Sequence, residues 1–294
     1  MNDAPLLLSA PNVSEGADLE LLGKIGEAFA PARFLDLHSD LDHGRSVFTL
    51  AARQGELASA LLGGAREVLE RVDLRGHSGL HPHVGAIDVV PVVYLDQERR
   101  AAAVAEALTA AALIADELEL PVFLYGEVAT DSQRAERAFF REGATKRLGE
   151  RMRSGELVPD HGPAELHPSA GAVLVTARPP LVAFNVDLAS DDLELARSIA
   201  AELRESGGGL AGVRALGLLL AGRGRAQVSF NVHDHAAVPL RDLVAAVRSR
   251  ADVAEAELVG LAPQAALEGF PEDVPLRGFS PERHVLENAL RSLE

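Results

Sequence analysis

The chain has 294 residues, a formal net charge of −16 and no cysteine. That length holds one large domain or two modest ones, and the missing cysteines exclude disulfides and thiolate chemistry. The acidic balance argues against nucleic acid, whose binders carry a basic face, and no apolar run reaches the ~18–20 residues of a membrane span.

Hydrophobic periodicity orders the elements. A short strand at 6–9 is followed by a helix at 19–29, with Ser14 as its candidate N-cap, and by strands at 33–38 and 46–51 around the polar turn SDLDHG. A helix at 55–72 leads into a loop at 76–85 that holds three glycines, one proline and three histidines. The β-branched run at 87–95 reads as a buried strand, 97–118 as an Ala-rich helix, 122–126 as a strand and 132–153 as a helix. A loop at 158–172, VPDHGPAELHPSAGA, breaks the pattern, and a loop of this length inside a compact chain is functional or a linker.

The second half repeats the order. Strands are expected at 181–188, 213–220, 226–232 and 255–261, with helices at 193–205, capped by Ser190 or Asp191, and at 239–249. The tail carries one or two helices, the clearer at 281–293. The expected fold is therefore α/β (α+β): two ferredoxin-like βαββαβ subdomains, 1–177 and 178–294, packed around a central cleft that suits a ligand. The N-terminal MNDAPLLLSAPN lacks the basic region of a signal peptide, which reads as a cytoplasmic protein.

Seven of the ten histidines fall in three polar loops: His38 and His43; His77, His81 and His83; His161 and His167. A histidine in a Gly/Pro loop is solvated, hydrogen-bonds its loop, or does chemistry. His81 stands out, since it lies between glycines, just before a proline and just ahead of a buried strand, which suits a general acid/base. The spacing His77-x-x-x-His81-x-His83 superficially offers metal ligands, but Gly79 and Pro82 break the helix that H-x-x-x-H needs, and no metal is expected. Asp40 and Asp42 are either a solvated turn or carboxylates that orient a catalytic histidine. Arg178, beside Pro179-Pro180, is a surface hinge residue or guards an anion site. The Gly-rich stretch at 206–217 precedes a strand and lacks Lys-Ser/Thr, so it is no phosphate loop.

PNVSEG at 11–16, LDLHSDLDHGRSVFT, HSGLHPHVGAIDVVP at 77–91, PVFLYGE at 121–127, PDHGPAELHPSAGA and LVAFNVDL together resemble the glutamate formimidoyltransferase family, in the same order and over about residues 7–261. The resemblance implies a homodimeric enzyme of histidine degradation that moves a formimino group from N-formimino-L-glutamate to tetrahydrofolate, its acceptor substrate. It implies small-molecule partners, with no nucleic acid and no membrane. It makes His81 the acid/base, with Asp40 and His38 completing the catalytic set. The folate segment would be Gly162, Pro163, Ala164, Glu165, Leu166, His167, Pro168, Ser169, Ala170 and Gly171, with Arg178 beside it. Leu80 and His83 stand where the animal enzymes have Glu and Arg, Gly44 stands for an Asn, Ala170 for a Trp, and His38 for an Asp that Asp40 replaces. Other readings are a relative acting on another amidine, formyl or acyl donor, a non-catalytic binder of a folate-like ligand, and a metal-dependent hydrolase.

Overall fold

The computed structural model describes residues 4–291. The chain divides into two compact units, Met1–Pro179 and Pro180–Glu294.

The first unit is built on one sheet. Its elements are β1 (Leu6–Ser9), β2 (Asn12–Val13), α1 (Leu19–Ala28), β3 (Arg33–Asp40), β4 (Arg45–Arg53), α2 (Leu57–Arg71), β5 (Ile87–Val93), α3 (Arg100–Leu118), β6 (Val122–Leu124), α4 (Arg137–Arg141), α5 (Ala144–Arg153) and β7 (Val173–Arg178). β1 and β2 are one line of chain interrupted at Pro11, which has no N–H for the ladder; both pair with β4 on one side and β5 on the other. The order across the sheet is β3, β4, β1/β2, β5, β7, β6, antiparallel as far as β5 and parallel from β5 to β7 and β6. The first four positions reproduce the strand order of a ferredoxin-like unit.

Burial explains the arrangement. β5 is buried along its whole length, as befits a strand covered on both faces. On one face, Leu22 and Ile25 of α1, Leu61 and Val68 of α2 and Ala107 and Ile114 of α3 close over Leu7, Phe48, Leu50 and Val90. On the other face, α4 and α5 bring Phe140, Leu148 and Met152 onto Val89, Phe123 and Leu174. Truncating any of these fully buried large side chains to Ala should cost about 2–5 kcal/mol.

The second unit repeats the pattern with β8 (Val182–Leu188), α6 (Leu193–Leu203), β9 (Val213–Leu220), β10 (Arg225–Val232), α7 (Leu240–Arg248) and β11 (Val253–Val259), in the order β11-β8-β10-β9. Phe184, Val228 and Phe230 of its sheet pack on Ile199 of α6 and Leu243 and Val247 of α7. Two short helices follow, α8 (Pro281–His284) and α9 (Leu286–Arg291); the expected tail helix extends to Leu293, and residues 292–294 lie outside the described residues.

Several local expectations change. β2 and β7 were not expected; β7, VLVTAR, lies between the expected loop at 158–172 and the expected strand at 181–188. The expected helix at 132–153 is broken into a 3-10 turn at Ser132–Ala135, α4 and α5, with Gly143 left-handed at φ 69° between the last two. The cap of α1 is Asp18, which accepts from Leu21 N, and that of α6 is Asp192, which accepts from Leu195 N; Ser14 instead donates to the carbonyl of Gly85 at 2.8 Å. Among the described residues no helix is long and apolar enough to cross a membrane.

Candidate active site

One row of residues crosses five strands of the first sheet. His38 of β3 lies opposite Val47 of β4, Val47 opposite Asn12 of β2, Asn12 opposite Val89 of β5, and Val89 beside Leu174 of β7. Cross-strand neighbours share a face, and Val89 and Leu174 belong to the side away from α1, α2 and α3. Side chains alternate along a strand, so Asp40, Arg45, Thr176 and Arg178 point to this same side.

Asp88 reaches it by a different device. The register runs from Asn12–Val89 directly to Val13–Ile87, so Asp88 is the extra residue of a β-bulge. Ile87 packs with the three long helices and Val89 with α4 and α5; the bulge re-aims the Asp88 carboxylate between them, a use common beside active sites.

The fully buried Asp88 is the hub of a charge network. Its Oδ1 accepts from Val84 N at 2.8 Å, and its Oδ2 accepts from Arg45 Nη1 at 2.7 Å and from Arg141 Nη2. Arg45 also donates Nε and Nη2 to Asn12 Oδ1, at 2.8 and 2.6 Å. Burial alone would raise the Asp88 pKa, but Arg141 and Arg45 overcome it and hold the carboxyl at about 2. Burial lowers Arg45 to about 10, which leaves it cationic at neutral pH.

Two backbone turns carry the histidines. His81 N donates to His43 O at 3.2 Å and Leu80 N to Asp42 O at 3.1 Å. They approach so closely that a Cβ on Gly44, itself left-handed at φ 59°, would meet the Gly79 Cα at 2.6 Å. The half-buried His81 ring faces His43, centroids 6.3 Å apart. His81 Nδ1 lies 2.8 Å from Pro82 O. A carbonyl only accepts, so Nδ1 carries the proton in that bond and Nε2 keeps an open lone pair. Burial first, then the charges of Arg45 and Arg141, push His81 well below the ordinary histidine pKa. It is therefore a neutral imidazole with one fixed and one available nitrogen. His83 pairs with His77 instead, rings edge to face at 4.6 Å, and burial and His83 both lower the His77 pKa. Among the described residues no group of three or more His, Asp or Glu is placed to hold a metal ion.

The segment expected to hold folate is divided by its surroundings. Gly162, Pro163, Ala164 and Glu165 are exposed, next to the start of β6, where His161 O accepts from Val122 N. Leu166 packs against the α4–α5 core. His167, Pro168, Ser169, Ala170 and Gly171 form a tight turn closed by hydrogen bonds in both directions between His167 and Gly171. This turn is stitched to the histidine loop: Ala86 N donates to Ala170 O, Ala172 N to Val84 O and Leu74 N to Ser169 O. Ala170 is buried, and His167 Nδ1 accepts from Ala170 N at 3.1 Å.

The structure thus places His81, His38 and Asp40 within the first unit's polar face and its adjoining loops, with Asp40 paired to His43 rather than to His81. Arg178 closes β7 on the same face. Asn12, His43, Arg45, Asp88, Arg137 and Arg141 were missed as site residues. Asp88 and Arg45 were visible in the sequence only as charges inside apolar strand runs; nothing local marked Arg137 or Arg141.

A half-buried histidine with one open ring nitrogen stands above a buried Asp–Arg network on a ferredoxin-like sheet, an arrangement able to take up and release a proton beside an anion. The chain belongs to the formiminotransferase family. The family model "Formiminotransferase domain, N-terminal subdomain" matches residues 6–178, and "Formiminotransferase domain" matches 183–269. The chain is 34% identical to "Glutamate formimidoyltransferase" of Streptococcus pyogenes serotype M1, covering 98% of this chain and 99% of that protein. It is 32% identical to the protein of the same name from Thermoplasma acidophilum, covering 97% of each. It is also 34% identical to "Formimidoyltransferase-cyclodeaminase" of Rattus norvegicus, over 89% of this chain and 51% of that one.

Proposed function

We propose that the chain is a glutamate formimidoyltransferase, moving the formimino group of N-formimino-L-glutamate to tetrahydrofolate with His81 as acid/base. The observation that carries this is the state of His81: Nδ1 tied to Pro82 O and a pKa held well below the ordinary value, so that Nε2 is a free base at neutral pH. His81 Nε2 removes the proton from the acceptor amine nitrogen as that nitrogen bonds to the formimino carbon. The imidazolium so formed is disfavoured by the surrounding arginines, which drives it to pass the proton on. His81 then returns that proton to the glutamate nitrogen as the old carbon–nitrogen bond breaks, and the imidazole ends neutral as it began.

The turn His167–Gly171 supports a folate-binding role for its segment, because it is hydrogen-bonded to the loop that presents His81. His38 and Asp40 act as supports from β3, Asp40 through His43. A cytoplasmic homodimer belongs to the same reading, supported by the cysteine-free chain and the family resemblance.

His81→Ala should lose at least about a hundredfold in kcat while still binding tetrahydrofolate in a calorimetric titration. Full turnover by that variant would overturn the assignment. Sedimentation of the purified protein as a monomer would remove the dimer.

A further inference from the structure

Four arginines lie on the polar face of the first sheet and on helix α4 that covers it, and only two of them are neutralised. Arg45 and Arg141 share Asp88. Arg137 lies one helical turn before Arg141, on the same side of α4. Arg178 follows Thr176 by two residues on β7, and Thr176 Oγ1 is fixed to Tyr125 O at 2.8 Å. The guanidinium of Arg178 bonds only the carbonyl of Pro179, at 2.9 Å, and neither Arg137 nor Arg178 has a carboxylate partner among the described residues. Both are half-buried. Burial, and then the charge of Arg137, lowers Arg178 to about 10, still cationic at neutral pH. The chain carries 44 acidic residues against 28 basic ones. Two adjacent half-buried cations left unpaired in so acidic a protein oppose folding unless an anion joins them.

We propose that Arg137 and Arg178 bind the two carboxylates of the formimino donor. This rests on the transfer reading above and adds the residues that choose the donor. Glutamyl carboxylates occur on both substrates, and position decides between them. In the donor they belong to the amino acid whose nitrogen holds the reacting carbon. In the acceptor they lie beyond an aromatic ring and an amide. Arg137 lies one turn from Arg141, whose guanidinium bonds the same Asp88 carboxylate that holds Val84 N, three residues after His81, so the pair belongs on the side of the reacting carbon. A planar guanidinium with several donors suits a carboxylate.

The test is steady-state kinetics on Arg137→Gln, Arg178→Gln and the double variant, with N-formimino-L-glutamate and with N-formiminoglycine, which carries one carboxylate. Each single variant should raise the donor KM about 10–100-fold, far more than it changes kcat or the tetrahydrofolate KM. One of the two penalties should disappear with N-formiminoglycine. N-acetyl-L-glutamate, which cannot react, should compete with the donor on the wild type and not on the double variant. An unchanged donor KM, or a rise in the acceptor KM instead, would overturn the arginine assignment. Failure of the wild type to use N-formimino-L-glutamate would instead overturn the transfer reading, so the two failures are told apart.

Discussion

The Asp40 carboxylate lies 2.9 Å from His43 Nδ1, and both side chains are buried. The same Asp40 oxygen accepts from the backbone N–H of His43. The carbonyl of His43 in turn receives the N–H of His81. Asp40 is thus linked to His81 through one residue of backbone, the placement of a positioning group. Asp40→Asn keeps the shape and the backbone bond but weakens the grip on the ring. We expect kcat to fall about tenfold with little change in either KM, measured in steady state; a pure rise in KM would place Asp40 in binding instead.

Arg141 depresses His81 as well as pairing with Asp88. Its replacement by Gln removes one repelling charge and leaves Asp88 less neutralised, and both changes raise the His81 pKa. The acid limb of kcat/KM, which marks protonation of the base, should move to higher pH. The same histidine has a stability consequence. Its folded pKa is depressed, so the unfolded chain binds the proton more readily and stability falls as pH drops below about 6.5. His81→Asn should flatten that fall in urea titrations across pH 7 to 5.

Asp88 makes a second, lower window. Its pKa drops from 3.8 to about 2 on folding. The stabilisation is complete above the unfolded value and is lost as pH falls from about 4 to 2, amounting to about 2 kcal/mol. Asp88→Asn abolishes this window but strands Arg45 and Arg141 without their shared carboxylate, at a cost of about 3–5 kcal/mol at neutral pH. Chemical denaturation at pH 7 and pH 3 separates the two effects; an Asn variant as stable as wild type at pH 7 would contradict the network.

Gly85 sits where the histidine loop meets the turn at 167–171. A Cβ there would come 1.9 Å from Ala172 O, a clash with backbone rather than with a movable side chain. Gly85→Ala should force apart the bonds Ala86 N–Ala170 O and Ala172 N–Val84 O. We expect a loss of about 2 kcal/mol or more in denaturant unfolding, together with a weaker tetrahydrofolate affinity.

The regular elements were readable because they repeat. Strands β3, β4 and β8 and helices α1, α2 and α6 carry clean amphipathic periods, and the doubled β-α-β-β-α-β order followed from them. His81 was readable because Gly, Pro and His crowd one loop. The network beneath it was not, for definite reasons. The bulge that turns Asp88 shows only as a shift against β2, sixty and more residues away in sequence. Arg141 looks like an ordinary surface charge until α4 is folded onto β5. His43 lay in a turn whose acidic neighbours drew attention, and the pairing of Asp40 with it rather than with His81 depends on how two loops touch.

The extra strand β7 also changes how the first sheet breathes. In the second unit the pattern ends at the edge strand β11, where, among the described residues, the outer side is bonded at Ala256 by Pro275 and Arg277, so its other outward amides are open to local fraying. In the first unit the matching strand, β5, is clamped between neighbours on both sides and buried throughout. Its amide hydrogens should exchange only on opening of the whole unit, a pattern that native-state hydrogen exchange would show. Asp88, the anchor of Arg45 and Arg141, is thus held in the strand whose opening requires the sheet itself to come apart.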